Sequence, residues 1–228
     1  MHHSVAVNLA RASLTFASPA KGSARAELIA VAERLFAERG IEGVSLRTIC
    51  AASNQGNTRA LQYHFHDRQG IVAAILLSRM SSIERRRSEL LDAALAQGEP
   101  DLPALIEVLL RPIAAFADDN GRNQFARFLL HVTTHSHAWG WGPLQNIEAP
   151  DTAPTATERA YDLLRAQLDP PIADRVDKRM SHILRMFLGA LIDRENTLLD
   201  GGTDCSLDEL VRDQIAMTAA ALVAPVSG

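Results

Sequence analysis

The sequence predicts an all-α protein. Apolar residues recur at helical spacing after residue 23, as Leu28, Ala32, Leu35 and Phe36 show with offsets of four, seven and eight. No stretch alternates apolar and polar residues with β-branched enrichment, so no sheet is expected. Among the 228 residues, 47% are hydrophobic and 22% are charged. That balance is typical of a globular protein and excludes a disordered chain, a collagen and a multi-span membrane protein.

The N-terminal elements are predicted from caps and apolar stripes. Residues 1–23 mix small side chains with serine and show no apolar stripe, so a disordered arm is expected. The first helix ends at Gly40, a typical C-terminal cap. Ser45 can cap a second, short helix. Polar residues 53–56 are expected to form a turn, Asn57 can cap a third short helix that ends near His64, and Asp67 can cap a fourth. The buried side of the fourth helix carries Ile71, Val72, Ile75, Leu76 and Ile83.

The rest of the chain is also predicted to be helical. Two pairs fit the capping-box pattern, Thr155 with Glu158 and Ser206 with Glu209. A loop rich in Gly, Pro and Trp is expected over 136–154. The predicted helices end near 119, 135, 200 and 223, and two of them start at Pro100 and Pro170.

Charge is distributed unevenly along the chain. The formal net charge is −4. Residues 1–70 hold eight basic and five acidic side chains, whereas the remainder holds fifteen and twenty-two, so the two parts carry +3 and −7. Such asymmetry suggests different partners for the two parts. The run Arg85-Arg86-Arg87 is expected to be a solvated, salt-bridged stretch.

Three short helices with a tight turn between the second and third are typical of a helix-turn-helix. Residues 57–66 can turn Ala60, Leu61 and Phe65 inward and leave polar side chains for DNA. Arg59 and Gln62 suit base edges, because Arg pairs with guanine and Gln with adenine. The alternative is a set of solvated polar residues on a small helix. The residues expected to contact DNA are Ser45, Arg47, Thr48, Asn57, Thr58, Arg59, Gln62, Tyr63, His64 and Arg68.

Residues 25–76 resemble the DNA-binding domain of the TetR family of bacterial transcriptional repressors. The matching motifs are residues 35–40 (LFAERG), 43–49 (GVSLRTI) and 61–65 (LQYHF), followed by Arg68. The turn departs from the family's usual Ala-Gly-Val-Ser, since residues 53–57 are one residue longer. The resemblance implies a homodimer with a recognition helix of each subunit in the major groove. It also implies C-terminal helices that form a ligand pocket and the dimer interface.

Three segments are therefore predicted: an arm over 1–23, a helix-turn-helix DNA-binding domain over 24–70, and a helical ligand-binding and dimerisation domain over 71–228. The expected partners are a palindromic DNA operator, a small hydrophobic or amphipathic ligand and a second copy of the chain, with no cofactor. Two isolated cysteines, no signal peptide and no apolar run of about 20 residues favour a cytoplasmic protein.

Two further sets of residues are assigned to the C-terminal domain. The residues expected to line the ligand pocket are Phe116, Phe125, Phe128, Leu129, His131, His135, Trp139, Trp141 and Met186. The last two helices carry more apolar surface than one partner can cover, which predicts a dimer interface. The residues expected there are Ile183, Phe187, Leu191, Val211, Ile215, Thr218 and Leu222.

Two other functions remain open at this point. His131, His135 and His137 have a spacing that zinc can use, so one alternative is an all-helical metal-dependent enzyme. No nucleophile–base pair or further metal ligand accompanies them in the sequence. The other alternative is a helical interaction module that does not bind DNA.

Overall fold

A computed structural model describes residues 5–16, 18–53, 63–118, 121–134 and 153–225. These residues form helices joined by turns and contain no strand, so the predicted all-α fold is confirmed. None of the helices in this part of the chain has the length and apolarity to cross a membrane. The helices are α1 (Val5–Thr15), α2 (Ala24–Arg39), α3 (Leu46–Ala52), α4 (Arg68–Leu95), α5 (Leu102–Ala114), α6 (Gln124–Thr134), α7 (Ala156–Ala166), α8 (Pro170–Ala173), α9 (Val176–Leu199) and α10 (Leu207–Val223).

The chain divides into two compact units. The N-terminal unit falls within Met1–Ser82 and Arg127–Thr152, and the C-terminal unit comprises Ile83–Ala126 and Ala153–Gly228. Helices α4 and α6 each contribute residues to both units. The transition therefore occurs inside continuous helices rather than in a linker.

Helix α2 forms the core of the N-terminal unit through the apolar stripe seen in the sequence. It ends as predicted at Gly40, which has a φ of +73° and donates its N–H to the carbonyl of Phe36. The turn toward α3 is tight, because a side chain at Gly43 would lie 2.5 Å from the carbonyl oxygen of Arg39. The buried residues of the stripe are Leu28, Ala32, Leu35 and Phe36.

The disordered arm predicted for residues 1–23 is wrong for Val5–Thr15, which form α1. Small side chains dominate this helix, so no broad apolar stripe is visible in the sequence. Small residues can still pack closely, and five residues of this helix are buried. They are Val7, Leu9, Ala10, Ala12 and Ser13.

Helix α5 lies at the centre of the C-terminal unit, where it contacts α7, α9 and α10. Both predicted capping boxes are present. Thr155 accepts the N–H of Glu158 while the Glu158 carboxylate accepts the N–H of Thr155, and Ser206 and Glu209 repeat this arrangement. Local side-chain chemistry thus fixes where α7 and α10 begin.

The long helix predicted from Pro170 to Asp200 is interrupted. Helix α8 ends at Ala173 and α9 begins at Val176. Arg175 has φ −106° and ψ 2°, outside the helical region, and its N–H bonds to the carbonyl of Ile172 in a tightened last turn. The helix predicted over 100–119 is also shorter, since α5 ends at Ala114.

A buried polar network joins α4, α5 and α7. The Arg87 guanidinium donates to the hydroxyl of Thr157 and to the carbonyl of Leu109, both at 2.7 Å. It also pairs with Glu84 at 3.3 Å, and Glu84 accepts hydrogen bonds from the backbone N–H and the hydroxyl of Thr157. Arg87 is therefore not part of a solvated stretch, as the sequence suggested, although Arg85 and Arg86 are exposed.

Candidate nucleic-acid interface

The first turn of α3 presents three of the residues predicted to contact DNA. Ser45 caps the helix by accepting the N–H of Thr48 at 3.0 Å, and the two hydroxyls share a hydrogen bond at 2.8 Å. Arg47 is exposed beside them. Ile49 and Cys50 are buried on the other side. The cap thus orders a polar turn beside the exposed cationic side chain of Arg47.

The end of the predicted recognition helix is described at residues 63–65. Tyr63 is 81% exposed, whereas Phe65 is buried. The Tyr63 ring meets the His64 ring edge-on, with centroids 5.3 Å apart. An exposed tyrosine of this kind combines a flat apolar ring with a hydroxyl that can donate to a phosphate.

The junction between residue 65 and α4 is held by the backbone. The carbonyl of Phe65 accepts the N–H of Asp67 at 2.7 Å, and the Asp67 carboxylate accepts the N–H of Gly70 at 2.8 Å. His66 adopts a φ of +64°, which is unusual for a residue with a side chain. A side chain at Gly70 would overlap the Phe65 carbonyl. Glycine at position 70 is therefore required by this packing.

An ion pair braces α2 against α4 inside the N-terminal unit. Arg79 donates two hydrogen bonds to the Glu33 carboxylate, at 2.9 and 2.8 Å. The Glu33 side chain is 2% exposed and that of Arg79 is 37% exposed. Burial raises the pKa of the Glu33 carboxyl, while the hydrogen bond and charge of Arg79 oppose the rise. The bidentate geometry compensates a carboxylate that would otherwise be costly to bury.

The ten predicted DNA contacts divide between described and undescribed residues. Besides the residues above, Arg68 lies half-buried at the first position of α4. The base-reading side chains predicted from the sequence lie outside the described residues. They are Arg59 and Gln62, and two further predicted contacts, Asn57 and Thr58, also lie outside the described residues.

The predicted ligand-binding residues are scattered. Phe128 stacks on Phe36 of α2 with centroids 6.2 Å apart, and Phe125 meets Phe116 edge-on at 5.3 Å. These contacts are core packing within the N-terminal and C-terminal units respectively. Met186 is 38% exposed on α9. Leu129 is buried, His131 is half-buried, and three residues lie outside the described part: His135, Trp139 and Trp141.

The C-terminal unit contains a cavity that the sequence did not indicate. Its volume is about 400 Å³, and it lies between the end of α4 and the start of α5. Leu90, Ala94 and Val108 provide apolar lining, and Glu99 and Glu107 bring carboxylates. Only the spatial meeting of two helix ends creates it, so no sequence signal could have identified it.

The residues predicted for the dimer interface are buried within the chain itself. Ile183, Phe187 and Leu191 belong to the packed side of α9, and the four residues of α10 are equally covered: Val211, Ile215, Thr218 and Leu222. In the single chain these side chains leave little surface for a second subunit, and their place in an interface stays a prediction. The exposed apolar side chains of the same helices are Met186, Leu199, Met217 and Val223.

The histidine-based enzyme gains no support. In the described part of the chain, no group of three or more His, Cys, Asp and Glu side chains could hold a metal. His131 lies on α6 in the N-terminal unit, near Gly40. Its two predicted companions, His135 and His137, fall outside the described residues.

A short capped helix, a tightly clamped junction and exposed polar residues give the N-terminal unit the form expected of a helix-turn-helix domain. Residues 28–75 match the family model described as bacterial regulatory proteins, tetR family. The resemblance to the TetR family is thereby confirmed, and the chain is a regulator with a TetR-type DNA-binding domain. No curated protein matches the chain.

Proposed function

We propose that this regulator is a repressor that acts in the cytoplasm, binds a palindromic operator as a homodimer and is released by a small-molecule ligand. The observation that supports it best is the family match over the clamped N-terminal unit, with Arg47 and Tyr63 exposed. An N-terminal unit of this type places a recognition helix in the major groove. Exposed cationic and phenolic groups beside it suit the phosphates.

Exposed apolar side chains support the homodimer. Four large ones lie on α9 and α10, and α10 adds small exposed residues at Ala216, Ala220 and Ala221. An apolar surface of this kind on a monomer indicates an interaction site. We propose that Met186 and Met217 lie at the dimer interface.

Dimerisation sets the geometry of the operator. Two recognition helices related by a twofold axis fit half-sites about 34–36 Å apart, which makes the operator a rough palindrome. The +3 balance over residues 1–70 is small. The N-terminal units of the two subunits together therefore supply the phosphate contacts that one N-terminal unit alone lacks.

A ligand in the C-terminal unit can act on DNA binding through α4. The cavity near Leu90 is within the usual range for small-molecule sites. Glu107 is paired with Arg111, so the Glu99 carboxylate is the lining group that favours an amphipathic molecule with a cationic end. Residues of α4 belong to both units. A ligand that binds one arrangement of α4 more tightly than another shifts the population away from the operator-binding form.

Selection of bound duplexes from a random pool tests the DNA-binding proposal. We expect a palindromic consensus. Arg59→Ala should lose about 1–3 kcal/mol and relax discrimination at one base pair. Arg47→Ala should weaken all duplexes equally and lower the salt slope by about one. Arg86→Ala, an exposed arginine of the C-terminal unit, is the matched control and should change neither. A pool without sequence enrichment would contradict the proposal.

Sedimentation equilibrium tests the dimer. Met217→Glu places a charge in the proposed interface and should shift the protein toward monomer and weaken operator binding. Leu95→Glu changes another exposed apolar residue, at the end of α4, and should leave both unchanged. A Met217→Glu protein that stays dimeric would place the interface elsewhere.

Screening primary amines against neutral analogues of equal size tests the ligand. We expect amines to raise the melting temperature and release the operator. Ala104→Phe fills the cavity and should abolish this response while operator binding persists. Release that survives Ala104→Phe would remove the cavity from the proposal.

A further inference from the structure

The guanidinium of Arg25 lies over two phenylalanine rings. Its Cζ is 5.3 Å from the centroid of Phe16 and 5.8 Å from the centroid of Phe65. Both distances are within the range of a cation–π interaction. The Nε atom of Arg25 is buried and has no hydrogen-bond partner in the described part of the chain. The rings therefore provide the contacts that hold this cation.

The three side chains come from separate segments of the N-terminal unit. Phe16 follows directly after α1, Arg25 is the second residue of α2, and Phe65 ends the helical segment 63–65. We call them the Phe16–Arg25–Phe65 stack. It connects the N-terminal segment to the end of the recognition helix.

Ring contacts extend the stack to the surface. The Phe65 ring lies 6.0 Å from the His64 ring, which in turn meets Tyr63 at 5.3 Å. Tyr63 is the exposed member of this series. A substitution at Phe16 can thus alter the position of Tyr63, which is predicted to contact DNA, although Phe16 itself is not a predicted DNA contact.

We propose that Phe16 is a positioning residue for DNA binding, which acts through Arg25 on Phe65 and so fixes the end of the recognition helix. This proposal rests on the DNA-binding function above. It also assigns Arg25 to packing rather than to a phosphate. A guanidinium that contacts two rings and has one nitrogen buried is held by the protein.

The stack has consequences for affinity. Without the Phe16 ring, the Arg25 guanidinium loses one of its two ring contacts. Its position against Phe65 is then less fixed, and the correctly placed helix becomes a smaller fraction of the population. Apparent affinity falls by that fraction. From the usual strength of a partly exposed cation–π contact, we expect Kd to rise about fivefold for each N-terminal unit.

The first experiment compares full-length variants on the selected duplex, at a temperature where circular dichroism shows each fully folded. Phe16→Leu keeps apolar volume and removes the ring, so affinity should fall while the salt slope stays constant. Phe16→Tyr keeps the ring and should restore binding. Leu14→Ala changes an exposed residue of α1 and serves as the control. Phe16→Leu protein that binds as tightly as wild type would overturn the proposal.

Arg25→Gln separates positioning from phosphate contact. We expect weaker binding with an unchanged salt slope. A slope lowered by about one would show that Arg25 neutralises a phosphate, which would overturn the proposal.

A spectroscopic readout makes the test independent of DNA. Tyr63 and Tyr161 are the two tyrosines of the sequence, so 3-fluorotyrosine labelling gives two ¹⁹F signals, which Tyr161→Phe assigns. Phe16→Leu should move the Tyr63 signal and leave that of Tyr161, which is buried in the C-terminal unit. An unmoved Tyr63 signal refutes the stack. A moved signal in a protein that selects no duplex supports the stack and refutes the DNA-binding function instead.

Discussion

Arg79→Met removes the partner of a buried carboxylate. Glu33 is 2% exposed and accepts two hydrogen bonds from Arg79. Removing one partner of a buried ion pair costs about 3–5 kcal/mol. Arg79 itself is 37% exposed, and water can replace part of its role. The free energy of unfolding should therefore fall by about 3 kcal/mol at pH 7, the lower end of that range.

The pH dependence identifies the cause of this loss. Burial raises the pKa of Glu33, and Arg79 opposes that rise, so its removal raises the pKa further. When the pKa of a group is higher in the folded state than in the unfolded state, the protein loses stability as pH rises through the folded-state pKa. The deficit of Arg79→Met should thus be largest at neutral pH and shrink as pH falls and the carboxyl is protonated.

Urea denaturation followed by circular dichroism at several pH values measures both effects. Arg34→Met is the matched control, since it removes an exposed ion pair with Glu38 within α2. Such a pair is worth about 0–1 kcal/mol. Arg79→Met/Glu33→Gln should recover part of the loss. A single variant within 0.5 kcal/mol of wild type, or a deficit of about 3 kcal/mol that does not vary with pH, would refute the reasoning.

Three further outcomes are expected. Arg87→Met should lower the free energy of unfolding by about 3–5 kcal/mol because Arg87 is buried in a polar network, whereas Arg86→Met, at an exposed site, should cost under about 1 kcal/mol in the same urea assay. Gly70→Ala should destabilise by about 1–3 kcal/mol and weaken operator binding through its clash with a carbonyl; Gly189→Ala, with open space around it, should be neutral or stabilising by up to about 1 kcal/mol in thermal melts. Burial raises the pKa of Tyr161 to about 12, so absorbance at 295 nm should show one tyrosine still protonated at pH 11. The free energy of unfolding should fall as pH rises through the pKa of Tyr161. The late-titrating tyrosine should be absent from the titration of Tyr161→Phe protein, which would confirm the assignment.

Local chemistry explains which elements could be predicted from the sequence. The stripe of α2 and the Ser45 cap depend on residues within one or two turns of each other. Both capping boxes follow the same rule. The motifs of the DNA-binding domain are also contiguous, and the family match confirms them.

Long-range packing explains what the sequence could not show. In the sequence, Arg87 cannot be distinguished from an exposed helical arginine. Its burial depends on hydrogen bonds to Thr157 and to the Leu109 carbonyl, which are distant in the chain. The apolar residues of α9 and α10 indicated two partners, but the sequence did not distinguish the stripe covered within the chain from the stripe left exposed. Phe187 is buried for this reason, whereas its neighbour Met186 is exposed.

Helix α4 limits how this protein can exchange parts with its relatives. It has 28 residues, about 42 Å of uninterrupted helix, and it carries Arg79 nine residues beyond the boundary at residue 70 that the sequence suggested. A chimera joined at residue 70 would bring Glu33 without its matching arginine unless the recipient helix supplied one. Chimeras that exchange the N-terminal unit should therefore join within α4 beyond residue 79, so that the Glu33–Arg79 ion pair stays with the domain it supports.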